Sequence, residues 1–207
     1  VATILALSGC GGRAEVALAA PSLPAPSLVA LASPSPRSDL LLRGAAMLLE
    51  AAGLGPGELQ LVVATRGPGS FTGIRNTLAC ALGLAAGAGV PAHAFSSLLA
   101  QAARCADGEV LAAQPARKGA VYVQAFRWEG AWQPITEPTI RPVAWLASQT
   151  LPVVAPAGLA LPEGTPLARV RLTTAEALLV LARALQTPDA STLQPLYLED
   201  FPRKEAC

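Results

Sequence analysis

The stretch that most limits the fold is Leu59–Val90. It opens with LQLVVAT, passes through Arg66-Gly67-Pro68-Gly69-Ser70-Phe71-Thr72-Gly73, and ends in a run from Leu78 to Val90 with no polar side chain. A continuous apolar run with β-branched members, bounded by turn residues, reads as a strand buried on both faces. Gly67 and Gly69 permit backbone angles that a side chain forbids, and Pro68 stiffens the turn between them. Ser70 or Thr72 then caps a helix from about Thr72 to Ala88, stopped by Gly89 and Pro91. A buried strand that feeds straight into a helix needs a sheet covered by helices, so the chain is α/β.

The flanking sequence extends this unit. Ala2–Ser8 and Ala14–Ala20 read as strands around the turn Gly9-Cys10-Gly11-Gly12, and Leu28–Leu31 reads as a short third strand inside a proline-rich loop. Ser38-Asp39 opens a helix that runs to about Ala52, with Gly53 as its left-handed stop. Pro91–Phe95 is a strand, and Ser96 caps a helix through Cys105. A weaker copy of the order starts near Glu109. Val110–Gln114, Ala120–Trp128, Trp132–Glu137, Val153–Ala155 and Ala168–Leu172 read as strands, and Val143–Ser148 as a short helix. Thr173-x-x-Glu176 has the spacing of a capping box and opens a helix to Gln186. The order of elements divides the chain into a lobe at 1–106 and a smaller one at 107–207, whose last helix or tail is free to return to the first. From Gln194 to Cys207 the chain is polar and aromatic, fit for loose packing or contact with a partner.

The glycine-rich turn has two readings. The N–H groups at a helix start attract anions, so the turn is a candidate phosphate cradle. Against this, a P-loop needs Gly-Lys-Ser/Thr where the chain has Gly73-Ile74-Arg75, and a dinucleotide fingerprint needs a third glycine where the chain has Thr72. The pattern fits a tight structural connection better.

The two N-terminal helices carry more apolar surface than a sheet can cover. A helix on a sheet needs one apolar stripe. Between Asp39 and Ala52 the charged residues are only Asp39, Arg43 and Glu50, and leucines spread around the rest. Ala79, Gly83 and Gly87 form a smooth face at four-residue spacing, beside Leu78, Leu82 and Ala86. Charged residues make up only 14% of the chain, against an ordinary share of about 25%. Either the second lobe or another chain must cover the excess. The expected partner-binding set is Leu41, Leu48, Leu78, Ala79, Leu82, Gly83 and Ala86, and the expected arrangement in isolation is a homodimer through a helix bundle.

Other classes find little support. A net charge of +1 gives no footprint for gripping nucleic acid directly. Cys10, Cys80, Cys105 and Cys207 show no metal spacing, and the single histidine, His93, rules out a histidine-rich metal centre; no metal is expected. Scattered thiols suit a reducing, cytoplasmic setting. Leu7-Ser8-Gly9-Cys10 matches a lipoprotein lipobox, but no positive charge precedes it and the apolar run is short, so a plain first strand is expected. No apolar stretch reaches the ~20 residues of a membrane span. His93 lies in an apolar strand with no carboxylate nearby in sequence, and reads as a satisfied or surface residue rather than a general base.

Val63–Arg75 with its Ala/Gly/Leu-rich helix, Gly89-Val90-Pro91 with Ser96-Ser97-Leu98, Ala116–Tyr122 and Pro195-Leu196-Tyr197-Leu198 together resemble the signature of the TsaB (YeaZ) family. The resemblance implies two lobes of the actin-like, RNase-H-like (ASKHA) type, with mixed sheets flanked by helices and a reduced second lobe. It implies an accessory, non-catalytic subunit in synthesis of threonylcarbamoyladenosine beside the tRNA anticodon. Its partners would be the catalytic subunit TsaD and the ATPase TsaE, with no cofactor of its own beyond a nucleotide at a partner interface. The chain departs from its relatives at Ser8 and Pro115, where the resemblance leads one to expect acidic residues. Without them Mg²⁺ and a polyphosphate lack ligands, and nucleotide hydrolysis is disfavoured. The family's glycoprotease label has no zinc-binding histidine pair behind it. The alternative function is an actin-like-fold ATPase or small-molecule kinase that uses Gly67–Gly73 for phosphate.

Overall fold

In the computed structural model the described residues are 2–11, 13–32, 39–117 and 119–198. Ser38, expected to share the start of the first helix, Lys118 in the Ala116–Tyr122 motif, and the tail beyond Leu198 with Cys207 lie outside them. Along the chain come β1 (Ile4–Ser8), β2 (Arg13–Ala19), β3 (Ser27–Ala32), α1 (Asp39–Ala51), β4 (Leu61–Thr65), α2 (Phe71–Ala88), β5 (Ala92–Phe95) and α3 (Ser97–Ala102). There follow β6 (Glu109–Pro115), β7 (Ala120–Trp128), β8 (Trp132–Pro134), β9 (Thr139–Pro142), β10 (Val153–Val154) and α4 (Thr174–Arg183).

The first sheet has the order β3-β2-β1-β4-β5. β1, β2 and β3 are antiparallel neighbours, whereas β4 and β5 join in parallel after helical crossovers. Its central strands β1 and β4 are apolar on both faces because both are covered. Leu5, Leu7, Val62 and Ala64 pack with Leu41 and Leu48 of α1 and Ile74 and Leu78 of α2. The alternate residues Ile4, Ala6, Leu61 and Val63 pack with Leu178, Leu179 and Ala182 of α4. A helix from the far end of the chain thus completes the core of the first sheet.

In the second sheet β6 lies between β10 and β7, and both β8 and β9 pair with β7. Val110, Ala112, Tyr122 and Phe126 face α3, while Leu111, Ala113, Val121 and Val123 face Leu146 of a short 3-10 turn at Val143–Ser148. α3 and α4 fill the space between the sheets. Arg104, just after α3, ties this layer together. Its guanidinium donates to Gln101 Oε1 at 2.6 Å, the Ala155 carbonyl at 2.7 Å and the Leu172 carbonyl at 3.0 Å. Two mixed sheets flanked by helices are the class the sequence indicated.

Three local expectations need correction. Ala168–Leu172 is not a strand: one bridge joins Leu167 to Val153, after which the Arg171 and Leu172 amides turn to the Arg104 carbonyl. β9 is an addition to the expected strands: its closing proline and its arginine, with Pro138 just before it, hide a four-residue pairing with β7. α4 stops at Arg183, short of Gln186, although its capping box forms as expected: Thr173 Oγ1 accepts from the Glu176 N–H, and the Glu176 carboxylate accepts from the Thr173 N–H.

Candidate functional site

The glycine-rich turn is a packing joint. Ser70, rather than Thr72, caps α2, its hydroxyl accepting from the Gly73 N–H at 3.3 Å. The Ser70 N–H donates to the Cys10 carbonyl at 3.3 Å, so the β1–β2 turn lies directly on the start of the helix. Gly69 has φ 151°, and a Cβ there would sit 2.6 Å from the Cys10 carbonyl oxygen. A Cβ on Gly9 would meet Thr77 Oγ1 at 2.6 Å, and one on Gly73 would strike the Gly9 carbonyl. The glycines let two backbones touch. They bring an acceptor carbonyl to the place where a phosphate would need donors.

Between the sheets, Ser8 and Pro115 hold the positions where the resemblance leads one to expect acidic residues. Ser8 is buried, with Thr65 Oγ1 donating to its hydroxyl at 3.5 Å. It lines a cavity of about 10 Å³ with Gly11, Arg13, Glu15, Gln101, Pro156, Ala157 and Thr174. That is room for one water. Glu15, the carboxylate there, accepts from the Ala175 N–H at the start of α4. Cys10 is buried, and burial pushes its thiol up, with Ser97 and Thr65 working weakly against it.

The outer face of α1 and α2 is open. Leu82 is 48% exposed, Met47 52% and Leu42 45%. Ala46, Ala79, Gly83, Ala86 and Gly87 are exposed around them. The expected partner-binding set therefore splits. Ala79, Leu82, Gly83 and Ala86 lie on this surface, but Leu41, Leu48 and Leu78 are buried against the chain's own first sheet. The absence of polar residues in α2 hid which side faces the sheet, and Leu41, Leu48 and Leu78 turn to the core. Leu42, Met47 and Phe71 were passed over for the same reason.

Phe71 begins α2 and stacks on Tyr197 with ring centroids 5.6 Å apart. The Arg75 guanidinium lies 3.9 Å from the Phe71 ring centre, and its Nε–H donates to Tyr197 Oη at 3.2 Å. Tyr197 arrives on a segment that crosses the motif loop, where the Leu196 N–H donates to the Arg66 carbonyl at 2.8 Å. Upstream, the Ala94 N–H donates to Thr192 Oγ1 at 2.8 Å, and the Asp189 N–H donates to His93 Nδ1 at 3.1 Å. His93 does have a carboxylate residue nearby, brought from 96 positions along the chain, and it meets that residue through the backbone.

These features define an α/β protein of two mixed sheets flanked by helices, with a close-packed glycine joint at the start of α2. The family model described as TsaD: tRNA N6-adenosine threonylcarbamoyltransferase matches residues 37–162. YeaZ from Pseudomonas aeruginosa has a similar structure, with 26% identity and a TM-score of 0.78 over 96% of this chain and 100% of that one. A second structure, of an uncharacterized protein with similarity to peptidase YeaZ from the same organism, matches with 25% identity and a TM-score of 0.75 over 96% and 100%. The chain belongs to this family, as a member of its TsaB (YeaZ) group.

Proposed function

We propose that the chain is a non-catalytic assembly subunit in threonylcarbamoylation of the adenosine beside the tRNA anticodon. On this reading the outer face of α1 and α2 docks the related catalytic subunit TsaD and, in isolation, a second copy of the chain. The ATPase TsaE acts in the same cytoplasmic assembly, and any nucleotide lies at a joint between subunits. The observation that carries the docking role is the pair Gly83 and Gly87. A Cβ on either would have nothing within 4 Å, so the chain's own packing does not ask for glycine there. Glycine in mid-helix costs about 0.5–1 kcal/mol relative to alanine, and a close-approaching partner backbone supplies a reason to keep it. Family membership supports the tRNA-modification role; Ser8, Pro115 and the seated Cys10 carbonyl support a scaffold over an ATPase or kinase.

The test places a charge on the open face. Leu82→Glu and Met47→Glu fold normally and lose both self-association in analytical ultracentrifugation and capture of TsaD. They also lower the yield of reconstituted tRNA modification. Burying a leucine such as Leu82 contributes up to about 1.5–3 kcal/mol before association costs, so one substitution is enough to read. Folded variants that still pair with both partners would sink the docking role. Leu48 and Leu78, being core residues, are unsuited to this test.

A further inference from the structure

The segment Asp189–Leu198 lies across the outer edge of β5 and over the motif loop, held by backbone and hydroxyl hydrogen bonds and by Leu193, Tyr197 and Leu198 packing against the apolar cores. Among its residues only Leu193 is buried. Thr192 occupies the edge N–H of Ala94, Leu196 reaches the Arg66 carbonyl, and the Asp189 N–H ends on His93 Nδ1. We propose that this segment is a detachable strap, released when His93 takes a proton, and that its release alters the foot of α2 at Phe71 and Arg75. The second half rests on the docking role proposed above; the first half does not.

An imidazole nitrogen that accepts a hydrogen bond must be unprotonated. Protonation at Nδ1 would set its new N–H against the Asp189 N–H, turning the contact from attractive to repulsive. Two charged groups face the ring. The Asp189 carboxylate favours the cation, but it is already engaged by the Ser191 N–H and hydroxyl, both at 2.8 Å. The Arg66 guanidinium at the end of β4 opposes the cation. Phe95, edge-on at 4.6 Å, offers it no hydrogen bond. Burial does most to hold the imidazole below its ordinary range; the Asp189 carboxylate and a backbone hydrogen bond with Asp189 oppose the shift, and Arg66 reinforces it. For a base lowered in the folded state, the contribution is complete above the ordinary value of about 6.5 and is lost as pH falls below it. The strap is therefore seated at neutral pH and loosened by acid. A segment at a sheet edge whose side chains, Leu193 apart, are half-buried or exposed can open without the sheets unfolding.

The strap then bears on docking through Tyr197. While seated it covers one side of Phe71 and receives the Arg75 Nε–H. Once it lifts, an aromatic ring and an arginine, both favoured anchors of interfaces, are presented differently at the start of the docking helix.

Amide hydrogen exchange on the full chain tests the strap, with rates corrected for the intrinsic effect of pH. Protection at Ala94, Asp189 and Leu196 is expected to fall about tenfold or more between about pH 7.5 and about pH 5, while α1 and β7 stay protected. His93→Asn supplies a non-titrating acceptor at the position of Nδ1, and its strap amides should keep their protection across that range. Flat protection in the wild type, or an equal fall in His93→Asn, overturns the proposal. His93 is the only histidine, so its NMR titration is unambiguous without any substitution. The imidazole and the strap amides must share one midpoint, and separate midpoints also overturn it. For the second half, Tyr197→Ala at neutral pH should change the self-association constant about threefold or more. An unchanged constant removes the link to docking. A wild-type chain that binds neither itself nor TsaD defeats the docking role, and the exchange result then stands alone.

Discussion

At Gly69 the backbone combines a φ of 151° with a neighbouring carbonyl that a Cβ would approach to 2.6 Å. A side chain cannot be accommodated by rotating a flexible neighbour, because the obstacle is the backbone of Cys10. Gly69→Ala is expected to destabilise the fold by about 2–4 kcal/mol, the range of strained-backbone and overpacking substitutions. For a chain of this length that is a fall in Tm of about 5–15 °C, read by differential scanning calorimetry. A loss below about 0.5 kcal/mol, the ordinary effect of a surface substitution, would mean that the joint is loose. The sequence showed that glycines were needed here, because the pattern failed both phosphate templates. It did not show what approaches them. Cys10 lies 59 positions before Gly69 only along the chain, and nothing in local spacing marks Cys10 as a neighbour.

The two helices on the outer side of the first sheet show how far pattern reading reaches. Their existence, their direction and the Gly89 stop followed from turn and capping residues, and the αL cap at Gly89 has φ 67°. Which side faces the sheet did not follow, since a helix of Ala, Gly and Leu has no polar stripe to orient it. Only the packing of α2 on the folded sheet settles that Leu78 goes inward and Leu82 outward. The same ambiguity makes a clean prediction. Gly83→Ala and Gly87→Ala add a methyl where the chain has open space, so each should raise the stability of the monomer by about 0.5–1 kcal/mol in urea titrations. Both should weaken self-association and TsaD binding, because the added methyls hold the partner helix away. Greater stability with undiminished association would argue that this face meets no close backbone. α4 was easier to place at its start, where Thr173 and Glu176 form a reciprocal cap, than at its end, which carries no glycine stop.

The molecule as a whole depends on its C-terminal half in a way that element order did not reveal. Ile4, Ala6, Leu61 and Val63 have α4 as their cover, and the edge of β5 has Thr192. A fragment ending at residue 106 should therefore not fold independently. It is expected to lose near-UV circular dichroism, bind a hydrophobic dye and aggregate, whereas the chain through Leu198 gives one cooperative transition. A monomeric, cooperatively folding fragment would show that α4 is dispensable to the first sheet. The placement of α4 also sets a clock for synthesis. Glu15 waits 160 positions for the Ala175 N–H that it accepts, and Ala94 waits 98 for the Thr192 hydroxyl. Counted from the last strand at Phe95 to the start of α4 at Thr174, a rate of about 5–20 residues per second leaves the sheet half-clad on the ribosome for about 4–16 s. For that interval the nascent chain exposes a flat aliphatic surface and an open strand edge, a natural substrate for ribosome-bound chaperones.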